Sequence, residues 1–201
     1  MPSFTEIKER LHTKSVGIAG AGGLGSNCAV ALARSGVGKI IIADFDVIVE
    51  SNLNRQYYFY DQIGQKKVIA LKENIRRINP NISVEIFAER ITLQNLTSIF
   101  STCDLLIEAF DQADQKMMLI EFALINLPNI PIIAGSGMAG FGETNSLYVE
   151  KFDNLYICGD GATEVSDINP PLAPRIGIVA NMQANVALDI LLKGEKNGDH
   201  C

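Results

Sequence analysis

The residues able to do chemistry cluster in a few short stretches. These are the glycine run Gly20-Ala21-Gly22-Gly23-Leu24-Gly25, the carboxylates Asp44 and Asp46, the polar run Ser51-Asn52-Leu53-Asn54-Arg55-Gln56, Lys67 in Gly64-Gln65-Lys66-Lys67, and Asp111. Glycines at G-x-G-x-x-G spacing let the backbone turn tightly and approach a phosphate, whose charge then rests on free N–H groups and the positive end of the following helix. An acidic side chain about 20 residues on, here Asp44, can accept hydrogen bonds from a ribose. Alone, this pattern points to a nicotinamide, flavin or other adenine-nucleotide site. Arg55 and Lys67 add cations able to stabilise charge on a phosphoryl group and a departing pyrophosphate. Asp111, acceptor-only when ionised, could hold a Mg²⁺ ion bridging those oxygens. A dehydrogenase has no need of such equipment beside its pyrophosphate; an enzyme that splits ATP does. Each residue also has a plainer reading: a solvated loop for Asn52 to Gln56, an exposed helix position for Lys67, a helix cap for Asp111. Their shared placement at strand ends favours the chemical reading.

That placement follows from the elements around them. Residues 16–19 form a short apolar run suited to a buried parallel strand, the glycine turn opens a helix to about residue 34, and 39–43 read as a second strand. A helix is expected over 3–13, from Phe4, Ile7 and Leu11, and another over 64–79 with Val68, Leu71, Ile75 and Ile78 on one face. Residues 57–63 form an aromatic-rich loop. Strands are expected at 83–87, 104–109 and 130–134, a helix at 93–100 capped by Thr92, and a helix at 113–126. The glycine-rich run 135–140 reads as a loop, 145–151 as an antiparallel return, and 152–175, with Pro170, Pro171 and Pro174, as a long loop. A closing amphipathic helix spans 177–192 and a polar tail 194–201. The expected fold is a doubly wound, Rossmann-like α/β domain over 1–201, its sheet mainly parallel with an antiparallel continuation. In such sheets ligands bind at the carboxyl ends of the strands, where Gly20–Gly25, Asp44–Asp46, Asp111 and Gly135–Gly140 would meet.

Composition narrows the classes. The chain has 201 residues, 47% of them hydrophobic, and a net charge of −6, which argues against nucleic acid held by phosphate neutralisation. No apolar run reaches membrane-spanning length, and residues 1–6 lack the features of a signal peptide, so a cytoplasmic protein is expected, with no membrane partner. Cys28, Cys103, Cys158 and Cys201 form no C-x-x-C pair, and His12 and His200 stand far apart in the sequence, so free thiols and no zinc are expected. Cys158 has a neighbouring carboxylate, Asp160, and no close cation, which favours packing over reactivity.

GAGGLGS, DFDVIVESNLNRQ, IGQKK and EAFDQ, in this order, resemble the ThiF/MoeB family, relatives of the adenylating domain of ubiquitin-activating enzymes. The resemblance covers roughly residues 15–150. INPNI and SGMAG make it most like the compact ThiF-type enzymes that act on the thiamine-pathway sulfur carrier ThiS. It implies ATP-dependent adenylation of the C-terminal Gly-Gly carboxylate of a ubiquitin-like carrier, with release of pyrophosphate. By motif, Gly20, Gly22, Gly23, Leu24 and Gly25 approach the phosphates and Asp44, with Asp46 beside it, takes the ribose. Asn52, Arg55 and Gln56 contact phosphates or hold the loop, Lys67 steadies negative charge and Asp111 binds Mg²⁺. It also implies a homodimer, with the carrier's tail under a crossover loop matching 152–175. Arg10 is the arginine available to enter a partner subunit's site. Many relatives hold a structural zinc with two C-x-x-C pairs, which this chain lacks. A relative acting on a tRNA-bound or small-molecule carboxylate would share the ATP site, and the Arg34–Gly38 turn, RSGVG, also fits the tRNA threonylcarbamoyladenosine dehydratases; a non-catalytic nucleotide-binding member of the superfamily is the other alternative.

Overall fold

The computed structural model describes residues 3–193. Seven strands form one sheet in the order β3-β2-β1-β4-β5-β7-β6. They are β1 (Ser15–Ala19), β2 (Lys39–Ala43), β3 (Ser83–Phe87), β4 (Leu105–Glu108), β5 (Ile132–Gly135), β6 (Tyr148–Phe152) and β7 (Leu155–Gly159). All neighbours run parallel except β6 and β7, which pair antiparallel from Tyr148 opposite Gly159 to Phe152 opposite Leu155. The expected α/β architecture is therefore present, antiparallel continuation included. The strand order reverses between β1 and β4, the place where an open parallel sheet leaves a crevice at its carboxyl edge.

Alternation along the strands fills both faces of the sheet. Val16, Ile18, Ile40, Ile42, Leu105, Ile107 and Ile133 face one apolar layer, and Ala19, Ile41, Ala43, Leu106 and Ile132 face the other. The first layer is covered by α2 (Gly23–Ser35), α3 (Lys67–Ile78) and α6 (Ala173–Lys193); the second by α4 (Leu96–Phe100) and α5 (Ala113–Asn126). Strands buried on both faces explain why β1, β2, β4 and β5 are near-continuous apolar runs. The N-terminal helix α1 (Phe4–His12) starts with a capping box in which the Ser3 hydroxyl accepts from the Glu6 N–H and the Glu6 carboxylate accepts from the Ser3 N–H.

Several boundaries move. The stretch 152–175 is not one loop: 155–159 pair as β7, and α6 already begins at Ala173, so the irregular segment is 160–172. Two things mislead the sequence reading there. Leu155 to Cys158 is a short apolar run next to glycines, and Pro174 is tolerated in the first turn of a helix, where its missing N–H costs nothing. Thr92 is not a cap: α4 starts at Leu96, and the Asn95 side chain turns back to accept from the Thr92 N–H at 2.8 Å. α3 starts at Lys67, because the chain at 65–67 is pinned to the loop after β2 by bonds from Ile48 N–H to Gln65 O and from Lys67 N–H to Asp46 O. At 21 residues, α6 is the one described helix long and apolar enough by length and composition to cross a membrane; it lies packed on α2 and the sheet, with Ile176, Val179, Ala180, Ala184, Ala187 and Leu191 buried. The expected tail at 194–201 lies outside the described residues.

Candidate active site

The crevice between the carboxyl ends of the strands is a cleft of about 820 Å³. Its floor is the glycine turn that joins β1 to α2. Gly20 has φ +99, a conformation that side chains other than glycine's rarely adopt, and a Cβ there would stand 2.8 Å from the Ala109 carbonyl. A Cβ on Gly25 would collide with the carbonyl oxygen of Gly20, so the first turn of α2 can lie on the glycine loop only without one. The open start of α2 at Gly23 thus faces the cleft, with the helix dipole's positive end toward any phosphate held there.

Asp44 directly follows β2 and ties the turn down. Its Oδ2 accepts from the Ala21 N–H at 2.6 Å and its Oδ1 from the Asp46 N–H at 2.8 Å. Burial pushes its pKa up, against those two backbone hydrogen bonds and the nearby Lys67 charge. Each carboxylate oxygen keeps a second lone pair, enough to accept from a ribose hydroxyl.

The segment after β2 folds back over the turn. The Tyr57 N–H donates to the Ser26 hydroxyl, which donates to the Gly22 carbonyl, and the Tyr58 hydroxyl donates to the Ala21 carbonyl at 2.7 Å. This lacing brings Arg55 and Gln56 to the cleft wall. The Arg55 guanidinium donates to Ser51 O at 3.2 Å and Asn54 Oδ1 at 2.8 Å. The Gln56 side chain is buried, and its Oε1 has no partner among the described residues, leaving an unsatisfied acceptor at the cleft. Asn52 does not reach the cleft: its Oδ1 accepts from the Val49 N–H and its carbonyl from the N–H groups of Arg55 and Gln56. It holds the loop. Gly25 likewise serves packing and does not line the cleft.

Lys67 and Asp46, read from the sequence as separate ligands, are bonded to each other: Lys67 Nζ donates to Asp46 Oδ2 at 2.7 Å, and the Lys67 side chain is 8% exposed. Asp111, past the end of β4, is exposed on the cleft wall and makes no hydrogen bond or ion pair among the described residues. A free carboxylate opposite a phosphate cradle suits Mg²⁺, which takes one or two carboxylates, keeps several waters and is otherwise held by substrate oxygens. No group of three or more His, Cys, Asp or Glu side chains among the described residues could hold a metal by itself.

Other cleft residues were not singled out in the sequence. Phe45 follows Asp44 directly, and the Arg90 guanidinium lies 4.1 Å from its ring centre. Lys116 reaches down to Glu108, which is fully buried and also accepts from the Phe110 N–H. Burial pushes the Glu108 pKa up, with Lys116 pulling the other way. Arg90 lies just past the end of β3, so the strand-end rule that picked Asp44 and Asp111 would have found it. Tyr58 and Ser26 sit within or beside the quoted motifs, but only the fold shows what they hold. Arg10, on α1, does not line this cleft.

A model of the ThiF family matches residues 3–199. The chain belongs to the ThiF family. Among relatives, a probable molybdopterin-synthase adenylyltransferase of Porphyra purpurea is 39% identical over 193 residues, covering 93% of this chain and 50% of that protein. The adenylyltransferase and sulfurtransferase UBA4 of Eremothecium gossypii is 31% identical, covering 90% of this chain and 42% of that protein. This ThiF-family chain thus spans half or less of either relative's length. Among solved structures, E. coli tRNA N6-threonylcarbamoyladenosine dehydratase with ATP superposes with a TM-score of 0.85 at 22% identity, covering 96% of this chain and 92% of that one, which establishes the fold. E. coli MccB with ATP superposes with a TM-score of 0.73 at 25% identity, covering 94% and 58%.

Proposed function

We propose that the chain is an adenylyltransferase that activates the C-terminal glycine carboxylate of a ubiquitin-like sulfur carrier, of ThiS type, with ATP and Mg²⁺. One observation carries the reading: a glycine phosphate cradle, Asp44, the cations Arg55 and Lys67 and the unpaired Asp111 all line one cleft. The relatives named adenylyltransferases support it, as do the related folds solved with ATP.

A carboxylate is already a nucleophile at neutral pH, so the protein's work is positioning and charge stabilisation. A carboxylate oxygen of the carrier attacks the α-phosphorus; the bond from that phosphorus to the bridging oxygen breaks, giving acyl-adenylate and pyrophosphate. The glycine turn and the start of α2 hold the phosphates, and Asp44 holds the ribose. Arg55 takes phosphate oxygens by leaving Ser51 O and Asn54 Oδ1, bonds cheap to exchange at a half-exposed site. Lys67 adds positive charge from its fixed place on Asp46. Asp111 would hold Mg²⁺, which when bound neutralises phosphate charge.

The dimeric state and the ThiS-type partner belong to the same proposal and rest on the family resemblance; the cytoplasmic setting is proposed alongside them. The net charge of −6 disfavours tRNA as the acceptor. Calorimetric titration with ATP–Mg²⁺ and with NAD tests the nucleotide half: ATP binding without NAD binding is expected, and NAD binding without ATP binding would end the reading. Purified carriers of ThiS and molybdopterin-synthase type, each tried as the substrate, test the acceptor half.

A further inference from the structure

The segment 160–172, between β7 and α6, forms a wall of the cleft through Thr163, Glu164, Val165 and Pro171, although it contains no helix or strand. A buried ion pair fastens it. Arg175, in the first turn of α6 and 3% exposed, donates to Asp160 Oδ2 at 2.5 Å. The same guanidinium donates to the Gly142 carbonyl at 2.5 Å, the Glu143 carbonyl at 3.3 Å and the Ser146 hydroxyl at 3.3 Å. Asp160 in turn accepts from the Ala162 and Thr163 N–H groups, both at 2.8 Å, and from the Thr163 hydroxyl at 2.9 Å. A Cβ on Gly137 would overlap the Asp160 carboxylate, so the loop after β5 is pressed against the same point. The start of α6, the 142–146 segment and the 160–163 segment therefore meet at one guanidinium.

The nucleotide side of the cleft is fastened by other bonds. Asp44 holds Ala21, Lys67 holds Asp46, and Arg55 holds Ser51 and Asn54; none of these bonds involves Asp160 or Arg175. The Asn54 side chain also donates to the Pro171 carbonyl at 3.4 Å, a long bond between the two walls that does not involve Asp160 or Arg175 either, so opening their ion pair leaves the bonds of the nucleotide side in place.

We infer that Asp160 and Arg175 are positioning residues that fasten segment 160–172 across the acceptor side of the cleft, setting how the carboxylate substrate is held and not how ATP binds. The assignment of that side to the acceptor rests on the adenylation reading; the fastening does not. A planar fork that reaches four acceptors on two segments is a task for arginine, and lysine's single ammonium cannot repeat it. Removing the charge from one partner of a buried pair leaves the other uncompensated, which opens the contact.

The test uses the full chain with Asp160→Asn, which keeps shape and a carbonyl acceptor, and Arg175→Lys, which keeps charge but not the fork. Amide exchange over 160–172 should quicken by about tenfold or more in both, while exchange in β1 and β2 stays at the wild-type rate. Calorimetric ATP affinity should stay within about twofold, and the KM for a ThiS-type carrier in pyrophosphate exchange should rise by about tenfold with kcat largely kept. Wild-type exchange over 160–172 in both variants, or a loss of ATP affinity in step with carrier KM, would overturn the inference. If Asp160→Asn fails to fold, Arg175→Lys carries the same readouts. If the wild type turns over no carrier, the adenylation reading fails, while amide exchange and ATP affinity still decide the fastening.

Discussion

At the level of single residues, the cleft's cations are already engaged: Lys67 on Asp46, Arg55 on Asn54, Lys116 on Glu108, Arg90 over Phe45. Lys67 is held by a partly exposed carboxylate and still lines the cleft, so the pairing is compatible with the proposed role in steadying phosphate. Arg55→Ala, Lys67→Ala and Asp111→Ala should each leave far-ultraviolet circular dichroism unchanged and slow adenylate formation by roughly a hundredfold, the usual effect of deleting one charge-stabilising group. Near-wild-type rates in all three would mean the site is misplaced. The identities of these residues were legible because glycine, arginine, lysine and aspartate at strand ends have few structural reasons to gather. Their partners were not: that Asp46 would bond Lys67, and that of Asn52, Arg55 and Gln56 it is Asn52 that holds the loop while the other two line the cleft, depends on how 48–67 folds back over the glycine turn, which spacing alone does not encode.

Among the elements, the strands and helices from residue 15 to about 135 were readable because both sheet faces are buried, which makes each strand an apolar run between turn signals. The reading failed between 152 and 175, where β7, a short apolar run paired with the exposed strand β6 expected at 145–151, and the first turn of α6 were both read as loop. Cys158, expected in the crossover loop, instead sits in β7, where burial pushes its thiol up to about 12. Cys158→Ser should therefore keep adenylation and cost only modest stability, with no carrier adduct by mass spectrometry on the wild type; an adduct that vanishes in the variant would make the thiol part of the chemistry. Asp160 offers a second check on the segment that follows. Burial raises its pKa, but the Thr163 and Ala162 N–H groups, the Thr163 hydroxyl and Arg175 outweigh it and hold the carboxyl at about 2. Its folded pKa is depressed below the unfolded value of about 3.9, so its contribution is complete above that value and is lost as pH falls toward about 2. Urea midpoints measured from pH 7 to pH 3 should fall more steeply for wild type than for Asp160→Asn at the acid end. Parallel curves would show that this carboxylate is not fastened as described.

For the whole molecule, the switch between β1 and β4 gathers loops from five strands, β1 to β5, into one cleft. That convergence was predictable from the doubly wound order alone; how the wall at 160–172 is fastened was not, because it depends on Arg175, which the sequence leaves in the loop 152–175. The family resemblance predicts a homodimer, and light scattering at micromolar concentration should give twice the chain mass; a monomer there would remove the partner subunit from the account. The most direct test of the central claim is exchange of labelled pyrophosphate into ATP, with and without a purified ThiS-type carrier ending in Gly-Gly. Exchange should require the carrier and Mg²⁺ and be lost when the carrier's terminal glycine is removed. Exchange indifferent to the carrier, or its absence with every carrier tried despite tight ATP binding, would contradict it.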